Sequence, residues 1–416
     1  MKKLFSIEET LANKITYYHI LLFIILLPFD RFYTEIILVS FAIHSLIHFK
    51  KEYFNKTQTK SIIILQSVFF LTLFGALYTH NTNQSVAIAT RQLAIFLFPV
   101  LLLFSPFDFN KYGSHFFTAF AATCTIVVLY LYFDALRTIH YYHLPISALF
   151  TFSFINHNFS SPIGIHATYL SMYIATSLVY FLTVIYNVNL KTKIVVLAAM
   201  TVLMCGLIQL GSRAVLISTI LVFGVVFPAF YLKGQQRYRF IGVASFIIIV
   251  CATVIYTSTS FKERFFDQLK SDLTQSSSPY TIDNPRPERW KLAWNLFKHA
   301  PVAGYGSGDE VDLLKEQYFE NKLYNSYLFG LNTHNQYLSF LVTGGVIGLL
   351  VYLFTLTYSF RKALRSNDIL FMSFLIVICT VSFSENFLDV NKGIFFYAFF
   401  LSLFMCRRNK SMTTNY

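Results

Sequence analysis

Charge is scarce in this chain: Asp, Glu, Lys and Arg together make up 13% of its 416 residues. A soluble domain could not keep the remaining apolar surface from water. Cysteine is also scarce. Cys124, Cys205, Cys251, Cys379 and Cys406 all lie inside apolar runs, with no Cys-x-x-Cys and no spacing that suits a metal or a disulfide framework, so they read as small buried side chains. No internal repeat occurs, and the one biased tract is the short Ser-rich stretch 274–279. The Gly-rich "GYGSGDE" at 304–310 lacks the Lys-Ser/Thr of a phosphate-binding loop and follows no strand, which leaves a tight turn as the better reading. Asp309, Glu310 and Asp312 lack the spacing of a Ca²⁺ loop and are expected on a solvated face. The N-terminus has no small-residue cleavage site, so its first apolar run is read as an uncleaved span rather than a removable signal.

Hydrophobic residues are what the chain has in excess: 55% of the total, 18% aromatic, with 47 Phe. Runs of about 17–25 apolar residues match the length of a helix that crosses a bilayer core. They are placed near 16–30, 33–49, 61–78, 86–104, 116–134, 165–187, 193–210, 214–232, 238–257, 334–358, 367–383 and 391–406. The expected fold class is therefore all-α, a polytopic membrane helix bundle of about 12 transmembrane helices with one large periplasmic loop containing short helices. Residues 1–257 would form an N-terminal bundle of about nine spans, 258–333 the large loop, and 334–416 about three further spans, all as one functional domain.

Loop charge sets the orientation, because short cytoplasmic connections retain Lys and Arg. With the N-terminus inside, one set of connections carries 19 basic residues, and the short connections on the other side carry only Arg31, Arg137, Arg213 and Lys392. Both termini are expected in the cytoplasm. The loop 258–333 holds nine basic and ten acidic residues, so the net charge of +13 belongs mainly to the cytoplasmic rim. That accounts for the basic balance without nucleic acid as a partner.

Several polar residues stand out against this background. Arg213 in "LIQLGSRAVLIS" and Arg91 in "IATRQLAIFLF" are costly in lipid and by default mark a pathway or site facing the bundle interior. Glu385 in "SENFLDVNKG" falls at the same level, and an Arg–Glu ion pair is the structural alternative. In "NPRPERWKLAWNLFKHAP" a helix is expected with Trp290, Ala293, Trp294 and Phe297 on one face and Arg289, Lys291 and Lys298 on the other, suited to a membrane interface or to packing on the bundle. His334 lies in "NTHNQYLSF", where Asn332 or Thr333 would cap the following helix.

Read in order, "LGSRAVLIS", "RPERWKLAWNLFKHAPVAGYGSGD", "THNQYLSFLVTGGVIGLL" and "SENFLDVNKGIFFYAFF" resemble the O-antigen ligase and polymerase superfamily of bacterial membrane glycosyltransferases. The likeness extends to "HATY" at 166–169 and "LAIFLFPVLL" at 93–102. It implies an inner-membrane enzyme that takes a glycan from undecaprenyl pyrophosphate on the periplasmic face and passes it to a glycan or lipid A-core type acceptor, with no metal or other cofactor. By resemblance Arg213, Arg286 and His334 are the expected catalytic residues; Arg289, Arg91, Asn335, Trp290, His166 and Glu385 are expected to bind substrate. Arginines suit a departing pyrophosphate because they stay charged and form forked hydrogen bonds, and a neutral imidazole suits removal of the acceptor's proton. A protein O-oligosaccharyltransferase would share these residues. A transporter or flippase would instead use Arg91, Arg213 and Glu385 at midplane sites, with internal symmetry between halves. A metal-dependent transferase could use Asp30 and Glu35.

Overall fold

The computed structural model describes residues 7–53, 56–273 and 286–407, all helical or irregular with no strand among them. The Ser-rich stretch 274–279 and the basic residues Lys2, Lys3, Arg408 and Lys410 lie outside the described residues. Helices α1 (Leu11–Leu26) and α2 (Arg31–Ile47) form a hairpin, followed by α3 (Lys56–Gly75), α4 (Thr82–Leu103) and the 33-residue α5 (Phe109–Tyr141). A connection with one short helix, α6 (His157–Ser160), leads to α7 (Ala167–Val184), α8 (Leu190–Leu210) and α9 (Arg213–Leu221). A π-helical turn, Val222–Val226, joins α9 to α10 (Phe227–Phe230), and α11 (Gly234–Thr257) follows with almost all of its length facing outward. The insert carries α12 (Thr259–Lys262), α13 (Gln268–Leu273), α14 (Arg286–His299), α15 (Glu310–Glu320) and α16 (Tyr324–Phe329). Then come α17 (Gln336–Arg365), α18 (Ile369–Val381) and α19 (Asn391–Cys406).

Each apolar run expected from the sequence falls on a helix. Eight helices among the described residues are long and apolar enough to cross a membrane, and α1, α18 and α19 are apolar but shorter. The chain is a multi-pass membrane protein. Contacts group several connections at two ends of the bundle. At one end Lys392 Nζ meets the carbonyls of Leu27 and Phe29, Asn391 donates to Glu35 at 2.7 Å, and Asp309 reaches the Asn81 amide at 2.7 Å. At the other end Lys111 pairs with Glu9 at 2.6 Å and Arg407 with Asp368 at 3.1 Å.

Phenylalanine does the packing at the centre. Phe396, Phe399, Phe400 and Phe404 of α19 are buried and meet Phe98, Phe117, Phe120, Phe371 and Phe374 from three other helices. Lipid tails are as apolar as these rings, so close ring-to-ring packing rather than escape from water holds such helices together. α18 has only 13 residues, which rise about 20 Å, against about 30 Å of hydrocarbon. A helix of that length is short of a full crossing, and the turn that follows it, residues 382–390, has polar backbone that is tolerated because it is buried in protein.

The span expected at 334–358 departs from a single rod. Gly345 has φ +60° and ψ −155°, and the segment before it folds back on the one after it. The Phe340 ring lies 4.8 Å from Tyr352, and the Phe340 carbonyl would stand 2.7 Å from a Cβ on Gly348. Residues 336–344 are thus a re-entrant half-helix whose N-terminus points down to the end of α18, where the Gln336 amide donates to Ser382 O at 2.8 Å.

The Gly-rich loop is what makes this reversal stable. Val346 N donates to Pro301 O at 2.8 Å and Ile347 N to Val302 O at 3.3 Å, while Tyr305 N and Gly306 N donate to the carbonyls of Val342 and Thr343, each at 3.0 Å. Four backbone groups freed by the break are satisfied by one loop. A Cβ at Gly345 would stand 2.3 Å from Val302 O. Gly345→Ala is expected to cost at least about 1–3 kcal/mol from backbone strain alone and to lower the apparent Tm in detergent, whereas Gly242→Ala, which meets nothing within 4 Å, leaves it unchanged. Equal melting of the two variants would contradict this account of the loop.

Candidate functional site

The re-entrant helix ends in an unusual turn. Asn335 caps it by accepting from the amides of Tyr337 and Leu338 at 3.0 and 3.2 Å, and the residue before it, His334, adopts φ +46°. A left-handed histidine is uncommon and is held here from several sides. The His334 amide donates to Asn332 Oδ1 at 3.0 Å, and Asn332 O and Thr333 O accept from Arg289 at 3.4 Å and Trp290 Nε1 at 2.9 Å. One turn further back on α14, Arg286 donates to Ser384 O at 3.2 Å. The i, i+3, i+4 spacing of Arg286, Arg289 and Trp290 places them on one helix face, and that face holds two loops together.

Beneath Thr333 lies a carboxylate that the sequence places on a solvated face. Glu310 and Asp309 are in fact buried, and only Asp312 of the three is exposed. The reason is the docking of the Gly-rich loop, which carries the start of α15 inward. Asp309 then accepts from the amides of His80 and Asn81 at the start of α4. Glu310 accepts from Thr333 N and Oγ1, from Ser339 Oγ and from Asn386 Nδ2. Asn386 Oδ1 in turn accepts from Thr333 Oγ1 and from the Asn335 amide at 2.7 Å, and Asn386 Nδ2 also reaches Asp389 at 3.3 Å. "THN" and "SENFLD" are thereby joined through side chains 50 residues apart in sequence.

His334 Nδ1 lies 3.3 Å from Glu385 Oε2, with the two side chains 31% and 14% exposed. Burial works to raise the Glu385 carboxyl, but the hydrogen bond from His334 and the charges of His334, His166 and Arg286 outweigh it and hold the group below its ordinary value. An ionised carboxylate only accepts hydrogen bonds, so Nδ1 carries a hydrogen, and in a neutral imidazole so oriented Nε2 is the nitrogen with the lone pair. The pair weighed from sequence between Glu385 and an arginine is a His–Glu pair instead; Arg91 donates to the Asp389 carbonyl at 3.3 Å.

Two further histidines flank this pair. The His157 and His166 rings lie 4.0 Å apart, and both sense the charge of Glu385 on one side and of Arg264 on the other. Desolvation comes first in pushing His157 down, to about 4, followed by the charges of His166 and Arg264; desolvation likewise lowers His166. His157 is therefore neutral near pH 7. Arg264 packs against the "LGSR" turn, its Nε 3.6 Å from where a Cβ on Gly211 would be, and Arg213 opens α9 half-buried beside that turn.

The expected residues thus fall into groups. His334, Glu385, His166 and Arg286 are brought together, and Arg213 opens α9 beside the turn on which Arg264 packs. Asn335, Trp290 and Arg289 lie behind the His334 turn; Arg289 is 6% exposed, on the buried face of α14 with Leu292, Ala293 and Leu296, not on the outer face expected for it. Trp294, 47% exposed, and Phe297 stack at 4.9 Å on the outer side with Lys291 and Lys298. Asp30 and Glu35 cap α2 and bind Asn391. Arg264, His157 and Asp389 give no signal in the sequence and Glu310 reads there as solvated, because a polar residue in a hydrophilic connection gives no local sign of burial.

Asp389 supplies a test. Burial first, and then the charge of Glu310, pushes it up to about 7 from an ordinary value of 3.8, so the folded state holds a proton that the unfolded chain releases earlier. Its contribution to stability is full below pH 4 and is lost as pH rises through 7. The apparent Tm of the purified protein is expected to fall by a few degrees between pH 5 and 8, and Asp389→Asn to flatten that slope. A slope unchanged in the variant would remove Asp389 as its source.

Residues 197–353 match the family model described as O-antigen ligase. A protein of Haemophilus influenzae described as uncharacterized is 24% identical over 389 residues, covering 90% of this chain and 92% of that protein. The matched segment contains Arg213, Arg264, α14, Glu310, His334 and the Gly345 break, so the likeness to O-antigen ligases covers the polar cluster described above.

Proposed function

We propose that the protein transfers a glycan from undecaprenyl pyrophosphate to an acceptor sugar hydroxyl on the periplasmic side of the inner membrane. The observation that carries this reading is His334, held in a left-handed turn with its Nδ1 on Glu385. The match to the O-antigen ligase model supports the reaction class, and the basic residues Arg286 on one side and Arg213 with Arg264 on the other support an anionic leaving group.

In this reading, the lone pair of His334 Nε2 takes the proton of the acceptor hydroxyl as its oxygen attacks the anomeric carbon of the donor. The bond from that carbon to the pyrophosphate oxygen breaks, and lipid pyrophosphate leaves with the electron pair. Glu385 stabilises the imidazolium that forms, as a carboxylate behind a general-base histidine does. Arg213 and Arg286 neutralise the departing group by charge-assisted hydrogen bonds; Arg91 and Asn335 support the 385–389 and 334 turns rather than the substrate. The neutral state of His157 fits it to donate or accept hydrogen bonds without competing for pyrophosphate. The short α18, which ends at the 382–390 turn, fits a donor whose polyprenyl tail stays in hydrocarbon while its diphosphate meets the interface.

The test is turnover of purified protein with a lipid-pyrophosphate glycan and candidate acceptors. His334→Ala is expected to lose about 10² to 10⁴-fold in kcat, and Arg213→Ala and Arg286→Ala about 10² to 10³-fold each. Glu385→Gln should lower kcat by less than His334→Ala and leave the donor KM unchanged. EDTA should have no effect. Full turnover in both His334→Ala and Arg213→Ala would refute the assignment, and loss of activity with chelator would favour a metal-dependent transferase.

A further inference from the structure

A cavity of about 490 Å³ lies apart from the His334 cluster, between the outer turns of α5 and the connection 153–162. That volume falls within the roughly 300–1,000 Å³ range of small-molecule sites. It sits at the C-terminal end of α5, at the edge of the expected span. α5 has 33 residues, about 50 Å of helix against about 30 Å of hydrocarbon, and Lys111 with its partner Glu9 marks the inner end. The turns that line the cavity, from Tyr130 to Thr138, are therefore at the opposite end, expected on the outer side.

The lining chemistry narrows the occupant. The charged residues facing the cavity are Asp134 and Arg137, which pair with each other at 2.7 Å, so the site is electrically neutral. This separates it from the arginine edges that suit a diphosphate. The Asp134 carboxylate is fixed by Arg137, and the Asn158 amide is fixed by donating to Phe152 O at 2.9 Å, which leaves planar acceptor groups in set orientations. Tyr130 supplies a half-open aromatic face beside them, and Phe159 closes the floor. Fixed planar acceptors for adjacent hydroxyls, next to an aromatic face for a ring's C–H side, are what an uncharged pyranose requires. The cavity also shares α6 with the proposed reaction centre: Asn158 lines it, and the ring of the preceding residue, His157, lies 4.0 Å from that of His166.

We propose that this cavity is a subsite for an uncharged sugar residue of the glycan handled at His334. The proposal rests on the glycosyl-transfer reading for the source of that sugar, but binding can be measured without transfer. Saturation-transfer NMR on the full-length protein in nanodiscs, with glucose, galactose, N-acetylglucosamine and their β-linked disaccharides as probes, should show binding by at least one. Asp134→Ala, Asn158→Ala and Tyr130→Ala should weaken it, Asp134→Ala by about tenfold or more, the effect of losing a hydrogen bond to a charged group, and His334→Ala should leave it intact. Inorganic pyrophosphate should not compete. In the transfer assay the same variants should raise one KM at unchanged kcat: the acceptor's if the bound sugar belongs to the acceptor, the donor's if it belongs to the lipid-linked chain. No binding by any probe, binding indifferent to all three variants, displacement by pyrophosphate, or both KM values unchanged would each overturn the subsite. Sugar binding lost in the variants, with no transfer under any condition, would sink the proposed reaction and leave the subsite standing.

Discussion

Backbone amides and carbonyls have no water to turn to inside a membrane bundle, and the point where this constraint bears hardest is the break at Gly345. A helix that reverses there strands four polar groups in a low-dielectric surrounding. The loop 301–306 answers each of them with a backbone partner, so the extramembrane insert is not an appendage on the bundle but part of how the bundle closes. The same docking carries Asp309 to the start of α4 and Glu310 beneath Thr333. One hydrogen-bonding requirement therefore positions both the entry of α4 and the turn that bears His334.

From that point the site is built by acids that work at different depths. Glu310, with four donors around it, fixes the backbone on which His334 sits; Glu385, with an imidazole against it, orients the ring. A carboxyl buried among neutral donors is most stable when it can take up a proton, whereas one facing His334, His166 and Arg286 is most stable without it. The two carboxyls, near one another in the fold, are driven in opposite directions by their neighbours, which separates a structural role from an electrostatic one.

The sequence alone carried much of this. Arg213, Arg286 and His334 are conspicuous because charge and imidazole are expensive beside apolar runs, and the loop-charge asymmetry assigns their connections to a common end without any tertiary information. The helices fall where hydropathy places them because twenty apolar residues have few alternatives in a bilayer. What the residues could not reveal is partnership. Glu385 was as compatible with an arginine as with His334; Glu310 reads as a solvated helix start; Arg289 and Trp290 share a helix face with Arg286 but turn to backbone carbonyls. Arg264 and His157 have no local signal at all.

Composition and periodicity thus determined the class of molecule, its spans and the end at which its polar residues gather, since those follow from the free energy of placing each residue in lipid or water. The tertiary structure decided that "NTHNQYLSFLVTGG" re-enters rather than crosses, that the Gly-rich loop seals the reversal, and that an imidazole meets a carboxylate at 3.3 Å. The reason is range: lipid partitioning acts on each segment separately, whereas a hydrogen bond between residues 51 positions apart exists only once every intervening helix has packed.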